Sequence, residues 1–255
     1  MSNITAFANQ KGGTGKTTTV INLAGALAEQ GHRVLVVDID PQGNLTMGLG
    51  IDVFTLTNTI YEVMVNNYPI EEIIKPVREN IHVVPTNINL SVADLQLAGE
   101  IRREDRLRDA LATVKDRYDF VLIDCPPSLG LLTINALSAA SNVVIPMSCD
   151  YYSMVGVRLL LSTIQRIQTR LNPNLKILGI LPTRFDGRTT HAKEVLNEAH
   201  EKLGRNVKVF DALIRESVVF KEAPIGGQTI TEYSSKHPGA EDYRLFAQEF
   251  IHAFN

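Results

Sequence analysis

A glycine-rich stretch between a predicted strand and a predicted helix constrains this 255-residue chain more than any other feature. The apolar run at residues 4–8 predicts a short buried strand, and apolar residues at helical spacing predict a helix over residues 18–30. The run Lys11-Gly12-Gly13-Thr14-Gly15-Lys16-Thr17-Thr18 lies between them. In such a loop the backbone N–H groups converge on an anion, and the helix dipole favours negative charge. The stretch therefore predicts a phosphate-binding loop.

Two side chains of this loop have the chemistry to bind a nucleotide and its metal ion. Lys16 can reach the β- and γ-phosphates, and the Thr17 hydroxyl can ligate Mg²⁺. The usual pattern G-x-x-x-x-G-K-[ST] requires glycine where this chain has Gln10, and a second lysine, Lys11, follows instead. The resulting K-G-G-x-G-K-T-T resembles the deviant Walker A box of the ParA/MinD family of ATPases.

The resemblance implies ATP and Mg²⁺ as cofactors. It implies that the nucleotide is bound by Lys11, Gly12, Gly13, Thr14, Gly15, Lys16, Thr17 and Thr18. It further implies that Lys11 crosses a dimer interface to touch the nucleotide of the partner subunit.

Carboxylates follow two further apolar runs of buried-strand type. Residues 33–37 lead into Asp38-Ile39-Asp40, and the apolar run 120–123 leads into Asp124. Ligands of open α/β sheets bind beyond the carboxyl ends of the strands, so one of Asp38 and Asp40 can order a Mg²⁺ shell while the other orients the attacking water. Capping of the next turn is the alternative. A carboxylate such as Asp124 can hold Mg²⁺ through water.

Within the family resemblance, the D-x-D-P-Q motif makes Asp40 the residue needed for hydrolysis. The predicted catalytic residues are therefore Lys11, Lys16 and Asp40, and the predicted metal site comprises Thr17, Asp40 and Asp124. The glycine-rich residues 44–50 are predicted to form switch I, and 125–130 resemble switch II. The segment from Asp150 resembles a family motif that usually begins with glutamate, and we assign Asp150 no role.

DNA and adenine contacts are expected in two segments, because the family places them at residues 182–188 and 213–224. The DNA-contact candidates are Arg184, Arg188, Arg215 and Lys221. The family's I-P-R-N segment reads Ile214-Arg215-Glu216-Ser217 here, so its arginine has moved by one position or been lost to glutamate. For each cation, a solvated surface charge is the alternative interpretation.

Charge and composition narrow the function classes. Residues 1–150 carry 11 Lys and Arg against 17 Asp and Glu, a net charge of −6, and residues 151–255 carry 14 against 11, a net charge of +3. The excess of positive charge in residues 151–255 would suit a surface that binds phosphate backbones, but chance variation of charge along the chain explains it equally well. No run of 18 apolar residues and no charged-then-apolar leader is visible, so we expect a cytoplasmic protein. Cys125 and Cys149 do not form a convincing pair for an iron–sulfur cluster, which disfavours a nitrogenase-reductase-like electron carrier.

Strand and helix patterns alternate along the chain. Further strands are predicted at 81–84, 142–146 and 175–182, and further helices at 59–66, 70–74, 91–99, 103–117, 157–171 and 239–254. This order predicts a single α/β domain over residues 1–255, a doubly wound, mostly parallel sheet with helices on both faces, as in P-loop NTPases. The last helix has few basic residues and is expected to pack against the body, so no membrane partner is expected.

The resemblance implies an ATPase that forms a homodimer in the ATP state and binds DNA without sequence preference. It would segregate a plasmid or chromosome on the nucleoid, with hydrolysis stimulated by a ParB-like adaptor. One alternative is the same cycle with a protein cargo such as carboxysomes or chemoreceptor clusters. Another is a MinD-like membrane-associated ATPase.

Overall fold

Seven strands form one sheet in the computed structural model, which describes residues 3–150, 153–204 and 207–254. The strands are β1 (Asn3–Phe7), β2 (Val34–Asp38), β3 (Lys75–Arg78), β4 (Ile81–Val84), β5 (Phe120–Asp124), β6 (Asn142–Ser148) and β7 (Lys176–Thr183). Their order in the sheet is β3-β4-β2-β5-β1-β6-β7. The β3–β4 pair is antiparallel and the other neighbouring strands are parallel. The predicted doubly wound, mostly parallel sheet is therefore confirmed.

Helices cover both faces of this sheet. They are α1 (Lys16–Glu29), α2 (Asn44–Gly48), α3 (Ile60–Asn66), α4 (Ala93–Gln96), α5 (Arg106–Leu111), α6 (Leu131–Ala139), α7 (Ser153–Arg170), α8 (Thr190–Lys202), α9 (Val219–Glu222), α10 (Ile230–Tyr233) and α11 (Pro238–His252). One apolar cluster joins the sheet to α3, α5, α6, α7 and α8, and a second joins it to α1, α2, α10 and α11. The continuous apolar character of the central strands follows from this burial on both sides.

The C-terminal helix packs on the body of the protein, as predicted. Tyr243, Phe246 and Phe250 of α11 are buried, and the ring centroid of Phe250 lies 6.4 Å from that of Phe7 in β1. No helix in the described part of the chain is long and apolar enough to cross a membrane.

Several boundaries differ from the predicted ones. Helix α1 begins at Lys16, two residues before the predicted start, because Gly15 already provides the turn into the helix. The predicted helix at 103–117 consists of α5 flanked by single turns of 3-10 helix. Strand β3 was not predicted. Tyr151 and Tyr152, part of the predicted family motif after Asp150, lie outside the described residues.

Strand register determines which side chains meet at the carboxyl edge. Strand β1 lies between β5 and β6, and β5 lies between β1 and β2. In this register Asp124 pairs with Phe7 on one side and with Asp38 on the other. The phosphate loop after β1 and the carboxylates after β2 and β5 are therefore brought to one place.

Candidate nucleotide site

The phosphate loop turns into α1 through two glycines in the left-handed region. Gly13 has φ of +74° and Gly15 has φ of +80°, conformations that side chains other than glycine adopt only at a cost. Gly15 also accepts the first helical hydrogen bond, from Thr19 N–H at 2.8 Å. The loop therefore presents the N-terminus of a 14-residue helix at the carboxyl edge of the sheet, which is a favourable place for an anion.

Lys16 occupies the centre of this site with little access to water. Its exposed fraction is 6%, and its Nζ donates to the Lys11 carbonyl oxygen at 3.4 Å. Burial lowers the pKa of Lys16, opposed by the negative charges of Asp124 and Asp40. In the described part of the chain this ammonium has no ion pair within 4 Å. A buried cation with these surroundings is stabilised by a bound anion, so the residue fits a phosphate ligand.

The predicted Mg²⁺ residues meet beside Lys16. Thr17 Oγ1 donates to Asp124 Oδ2 at 2.7 Å, while the buried Asp124 Oδ1 has no hydrogen-bond partner among the described residues. Burial, and then the charge of Asp38, raise the pKa of Asp124 well above its usual range. An unpaired buried carboxylate oxygen next to a hydroxyl suits Mg²⁺, which takes oxygen ligands and keeps several waters.

Asp40 lies at the edge of the same group. It is 8% exposed, and its Oδ1 accepts a hydrogen bond from Gln42 N–H at 3.0 Å. The described residues contain no group of three or more His, Cys, Asp or Glu that could hold a metal ion by themselves. That arrangement fits a metal bound jointly by Thr17, Asp124 and the phosphates, since Mg²⁺ in phosphate sites uses only one or two carboxylates.

Asp38 has a different position from Asp40. It is fully buried, and its Oδ2 accepts hydrogen bonds from both Thr46 N–H at 2.9 Å and Thr46 Oγ1 at 2.7 Å. Its Oδ1 accepts from Asp40 N–H at 3.1 Å, and burial raises the pKa of Asp38 to about 7. Asp38 therefore connects β2 to α2, in the predicted switch I, whereas the Asp40 carboxylate accepts a hydrogen bond only from Gln42 N–H among the described residues. The sequence pattern alone did not separate these two roles.

Lys11 contacts Asp150 within its own chain. The Lys11 ammonium forms an ion pair with the Asp150 carboxylate and lies 3.4 Å from Ser153 Oγ. Asp150 also accepts hydrogen bonds from Ser148 Oγ at 2.7 Å and Ser153 Oγ at 3.0 Å. Burial acts to raise the pKa of Asp150, but the hydrogen bonds from Lys11, Ser148 and Ser153 hold it below its usual range. Sequence reasoning gave Asp150 no role, and only the three-dimensional contact reveals it.

Three of the four predicted DNA-contact residues line one cavity beside the phosphate loop. This cavity, of about 280 Å³, is lined by Gly13, Gly15, Thr18, Thr183, Arg184, Ile214, Arg215, Glu216, Ser217, Phe220, Lys221 and Tyr243. Its lining combines the apolar side chains of Ile214, Phe220 and Tyr243 with polar and charged side chains. Because it adjoins the phosphate loop and includes residues of both segments in which adenine contacts are expected, it is a candidate site for the base of the nucleotide.

These arginines already have partners in the chain. Arg184 Nε donates to Glu216 Oε2 at 2.8 Å, and the two guanidinium bonds from Arg215 to the Asp242 carboxylate are both 2.7 Å long. Arg188, outside the cavity, pairs with Asp186 at 2.8 Å and keeps 90% of its side chain exposed. Lys221 is exposed and has no ion pair with another described residue. The structure thus brings Arg184, Arg215 and Lys221 together and leaves Arg188 apart.

Comparison with known proteins gives consistent matches over the chain. A family model described as an AAA domain matches residues 2–177. The sporulation initiation inhibitor protein Soj of Bacillus subtilis is 46% identical over 98% of each chain. The chromosome partitioning protein ParA of Myxococcus xanthus is 44% identical over 97% of this chain and 87% of that protein.

A solved structure extends the similarity to the fold. A Mycobacterium smegmatis protein described as cobyrinic acid a,c-diamide synthase, with a bound ATP analogue and magnesium, matches with a TM-score of 0.88. It is 38% identical, over 100% of this chain and 96% of that one. With the extent and identity of the Soj and ParA matches, the phosphate loop with two lysines identifies the chain as a member of the ParA/MinD superfamily of ATPases.

Proposed function

We propose that this ATPase dimerises around ATP, binds DNA without sequence preference in that state, and thereby segregates a plasmid or chromosome. The observation that carries the proposal is the pair of lysines in one phosphate loop. Lys16 is buried within its own site, and Lys11 is held outside it on Asp150. The name of the M. xanthus relative, chromosome partitioning protein ParA, supports a partition role.

The chain hydrolyses ATP with Mg²⁺ as its metal ion. Lys16 and the loop N–H groups bind the phosphates, and Thr17 and Asp124 hold the Mg²⁺ shell. The bound metal neutralises charge on the phosphates. Asp40, which follows β2 and is not bound by Thr46, orients the attacking water. Because β1, β2 and β5 are adjacent, these groups are pre-positioned before the nucleotide arrives.

Dimerisation gives Lys11 its role. In the single chain the ammonium of Lys11 is neutralised by Asp150, so it contributes nothing to its own phosphates. In the ATP-bound homodimer Lys11 moves to the nucleotide of the partner subunit and neutralises developing charge, as an arginine finger does in other NTPases. ATP thus stabilises the dimer, and hydrolysis followed by phosphate loss weakens it.

DNA contacts follow from cations that remain accessible. Arg188 is almost fully exposed, and Lys221 is exposed, lines the cavity and has no ion pair with another described residue. The exposed ion pair of Arg188 with Asp186 can be exchanged for a phosphate contact, whereas the bidentate pair of Arg215 with Asp242 is harder to break. Two copies of a weak basic surface in one dimer bind a duplex more tightly than either copy alone.

Partners and location follow from the same cycle. We propose a ParB-like adaptor that stimulates hydrolysis, and a cytoplasmic location on the nucleoid. A protein cargo positioned by the same cycle is the second candidate, since an adaptor rather than this chain selects the cargo. A membrane role is disfavoured because the aromatic side chains of α11 are buried in the core. The M. smegmatis neighbour is named for a different reaction, but the M. xanthus relative, which has higher identity, is named for chromosome partitioning.

The decisive experiment is binding to a random-sequence DNA duplex, measured by fluorescence anisotropy. Wild type and Asp40→Ala are compared with ATP and Mg²⁺, with ADP, and without nucleotide, across a salt series. We expect tight, salt-sensitive binding with ATP only, and retention of the ATP-bound dimer by Asp40→Ala in size-exclusion chromatography with light scattering. Equal or absent DNA binding in all nucleotide states would refute the DNA-tracking cycle. Free hydrolysis by Asp40→Ala would refute the role of Asp40.

A further inference from the structure

Two successive carbonyl groups of the phosphate loop accept hydrogen bonds from the end of β7. Thr183 Oγ1 donates to the Thr14 carbonyl oxygen at 2.8 Å, and Arg184 Nη1 donates to the Gly13 carbonyl oxygen at 3.2 Å. In a planar trans peptide the C=O and the N–H of the next residue point in opposite directions. Donors that hold these carbonyls outward therefore hold the N–H groups of Thr14 and Gly15 toward the interior of the loop, where an anion binds.

Arg184 is placed for this contact by an unusual backbone conformation. Its φ is +52°, in the left-handed region that residues other than glycine and asparagine rarely adopt. Such a conformation persists only where the surroundings enforce it, and it is concentrated at functional sites. Here the next residue is fixed by two backbone hydrogen bonds, from Phe185 N–H to the Ile214 oxygen and from Glu216 N–H to the Phe185 oxygen, both at 3.0 Å.

Glu216 fixes the other side of the same guanidinium. Its Oε2 accepts from Arg184 Nε at 2.8 Å while Nη1 reaches Gly13. The two acceptors hold the planar guanidinium in one orientation, which a flexible ammonium could not achieve. Glu216 is also the position at which the segment departs from the family's I-P-R-N pattern. The residue that departs from the family pattern therefore forms a hydrogen bond with Arg184, which in turn contacts the phosphate loop.

We propose that Arg184, oriented by Glu216, is a positioning residue of the phosphate loop that fixes the Gly13–Thr14 peptide for phosphate binding. This inference rests on the proposed function, because it presumes that the loop binds the phosphates of ATP. It assigns Arg184 to the nucleotide rather than to DNA. Thr183 has the same effect on the following peptide.

Three other roles for Arg184 make different predictions. If Arg184 acted only through its ion pair with Glu216, exchanging the two charges would restore nucleotide affinity. If Arg184 only contacted the base of the nucleotide in the cavity, its loss would weaken ligands that carry a base and leave the affinity for a bare polyphosphate unchanged. If Arg184 only contacted DNA, its loss would leave nucleotide affinity unchanged. A phosphate-loop role affects ATP and polyphosphate equally, and it is not restored by charge exchange, because a carboxylate at position 184 cannot donate to the Gly13 oxygen.

The test measures the affinities of Mg²⁺-ATP and Mg²⁺-tripolyphosphate by competition against a fluorescent ATP analogue. The variants are Arg184→Ala, Glu216→Ala and the double exchange Arg184→Glu with Glu216→Arg. The control is Arg33→Ala, because the Arg33–Asp119 pair has side-chain exposures of 58% and 40% against 53% and 38% for Arg184–Glu216. Arg33 precedes β2 and therefore lies at the amino ends of the strands, opposite the carboxyl ends where the phosphate loop lies.

We expect Arg184→Ala and the double exchange to weaken both ligands about tenfold, the loss of one charged hydrogen bond. Glu216→Ala should weaken both by a smaller factor, and Arg33→Ala by none. Restored affinity in the double exchange, a loss confined to ATP, or unchanged affinity in Arg184→Ala would each overturn the proposal. Should Arg184→Ala unfold, Arg184→Lys provides the comparison, with a smaller loss that again is equal for both ligands. A wild-type protein that binds neither ligand would instead refute the proposed nucleotide function.

Discussion

Replacing Asp38 by asparagine should flatten the pH dependence of stability of the nucleotide-free protein. Burial raises the pKa of Asp38 to about 7, against 3.8 for a free carboxyl, although hydrogen bonds from Thr46 and Asp40 act to lower it. Between these two pH values the folded protein holds a proton that the unfolded chain has released. The free energy of unfolding therefore falls as the pH rises through this window, by about 3 kcal/mol between pH 5 and pH 8. Asparagine has no proton to release, so this contribution disappears.

Urea unfolding followed by circular dichroism at pH 5, 6, 7 and 8, with a chelator and without nucleotide, measures the effect. The quantity that matters is the difference between wild type and Asp38→Asn at each pH, because the constant cost of altered hydrogen bonds cancels from its slope. Burial, and then the charge of Asp38, raise the pKa of Asp124, so Asp38→Asn also reduces the pH dependence that Asp124 contributes, which adds to the flattening. Asp119→Asn is the control, because the backbone N–H of Arg33 lowers the pKa of Asp119 and moves its titration to more acidic pH. Parallel stability curves for wild type and Asp38→Asn would refute the reasoning.

Three further substitutions test other parts of the structure. Lys16→Gln should abolish binding of a fluorescent ATP analogue, because it removes the buried ammonium that faces the phosphates, and wild-type affinity would contradict this role. Gly227→Ala should lower the free energy of unfolding by about 2 kcal/mol more than Gly31→Ala in urea titrations. Both glycines have positive φ, +65° at Gly227 and +82° at Gly31, so the backbone strain is similar. A Cβ at position 227 would lie 2.7 Å from the Gly50 Cα, whereas a Cβ at position 31 would have no atom within 4 Å. Equal losses of stability in the two variants would exclude this overlap. Phe250→Ala should cost about 3–5 kcal/mol in the same assay because the ring is fully buried, and a loss below 1 kcal/mol would show that the helix is not part of the core.

The parts of the site that could be predicted from sequence are those set by short-range pattern. A strand, a glycine turn and a helix occur within residues 4–30, so the phosphate loop and Lys16 were predictable from neighbouring residues alone. Asp124 was predictable because carboxyl ends of parallel strands share one edge of the sheet. The hydrogen bond between Thr17 and Asp124, which are 107 residues apart in the chain, agrees with this prediction.

No sequence pattern predicts which polar groups far apart in the chain come into contact in the fold. Lys11 and Asp150 are 139 residues apart, and the Arg184–Gly13 contact joins positions 171 residues apart. Neither depends on periodicity or on turn chemistry, so only the fold reveals them. Glu216 was noticed as a departure from the family pattern, but its partner could not be inferred.

Strand β3 was missed because its sequence is unfavourable for a central strand. Lys75-Pro76-Val77-Arg78 contains a proline, which cannot donate to a ladder, and two cations. At the edge of a sheet these features are tolerated, and they discourage pairing with a further chain. The short connection from Arg78 to β4 at Ile81 then makes the pair antiparallel.

The pairing of Asp38 with Asp124 across β2 and β5 limits how this protein can change its length over evolution. Side chains alternate between the two faces of a sheet, so deleting one residue within either strand would turn its terminal carboxylate to the opposite face. Insertions before these strands, at the edge that carries Arg33 and Asp119, leave that alternation intact. We therefore expect natural length variation in this lineage to accumulate at the amino edge of the sheet, while the number of residues between each strand's start and its carboxylate stays constant.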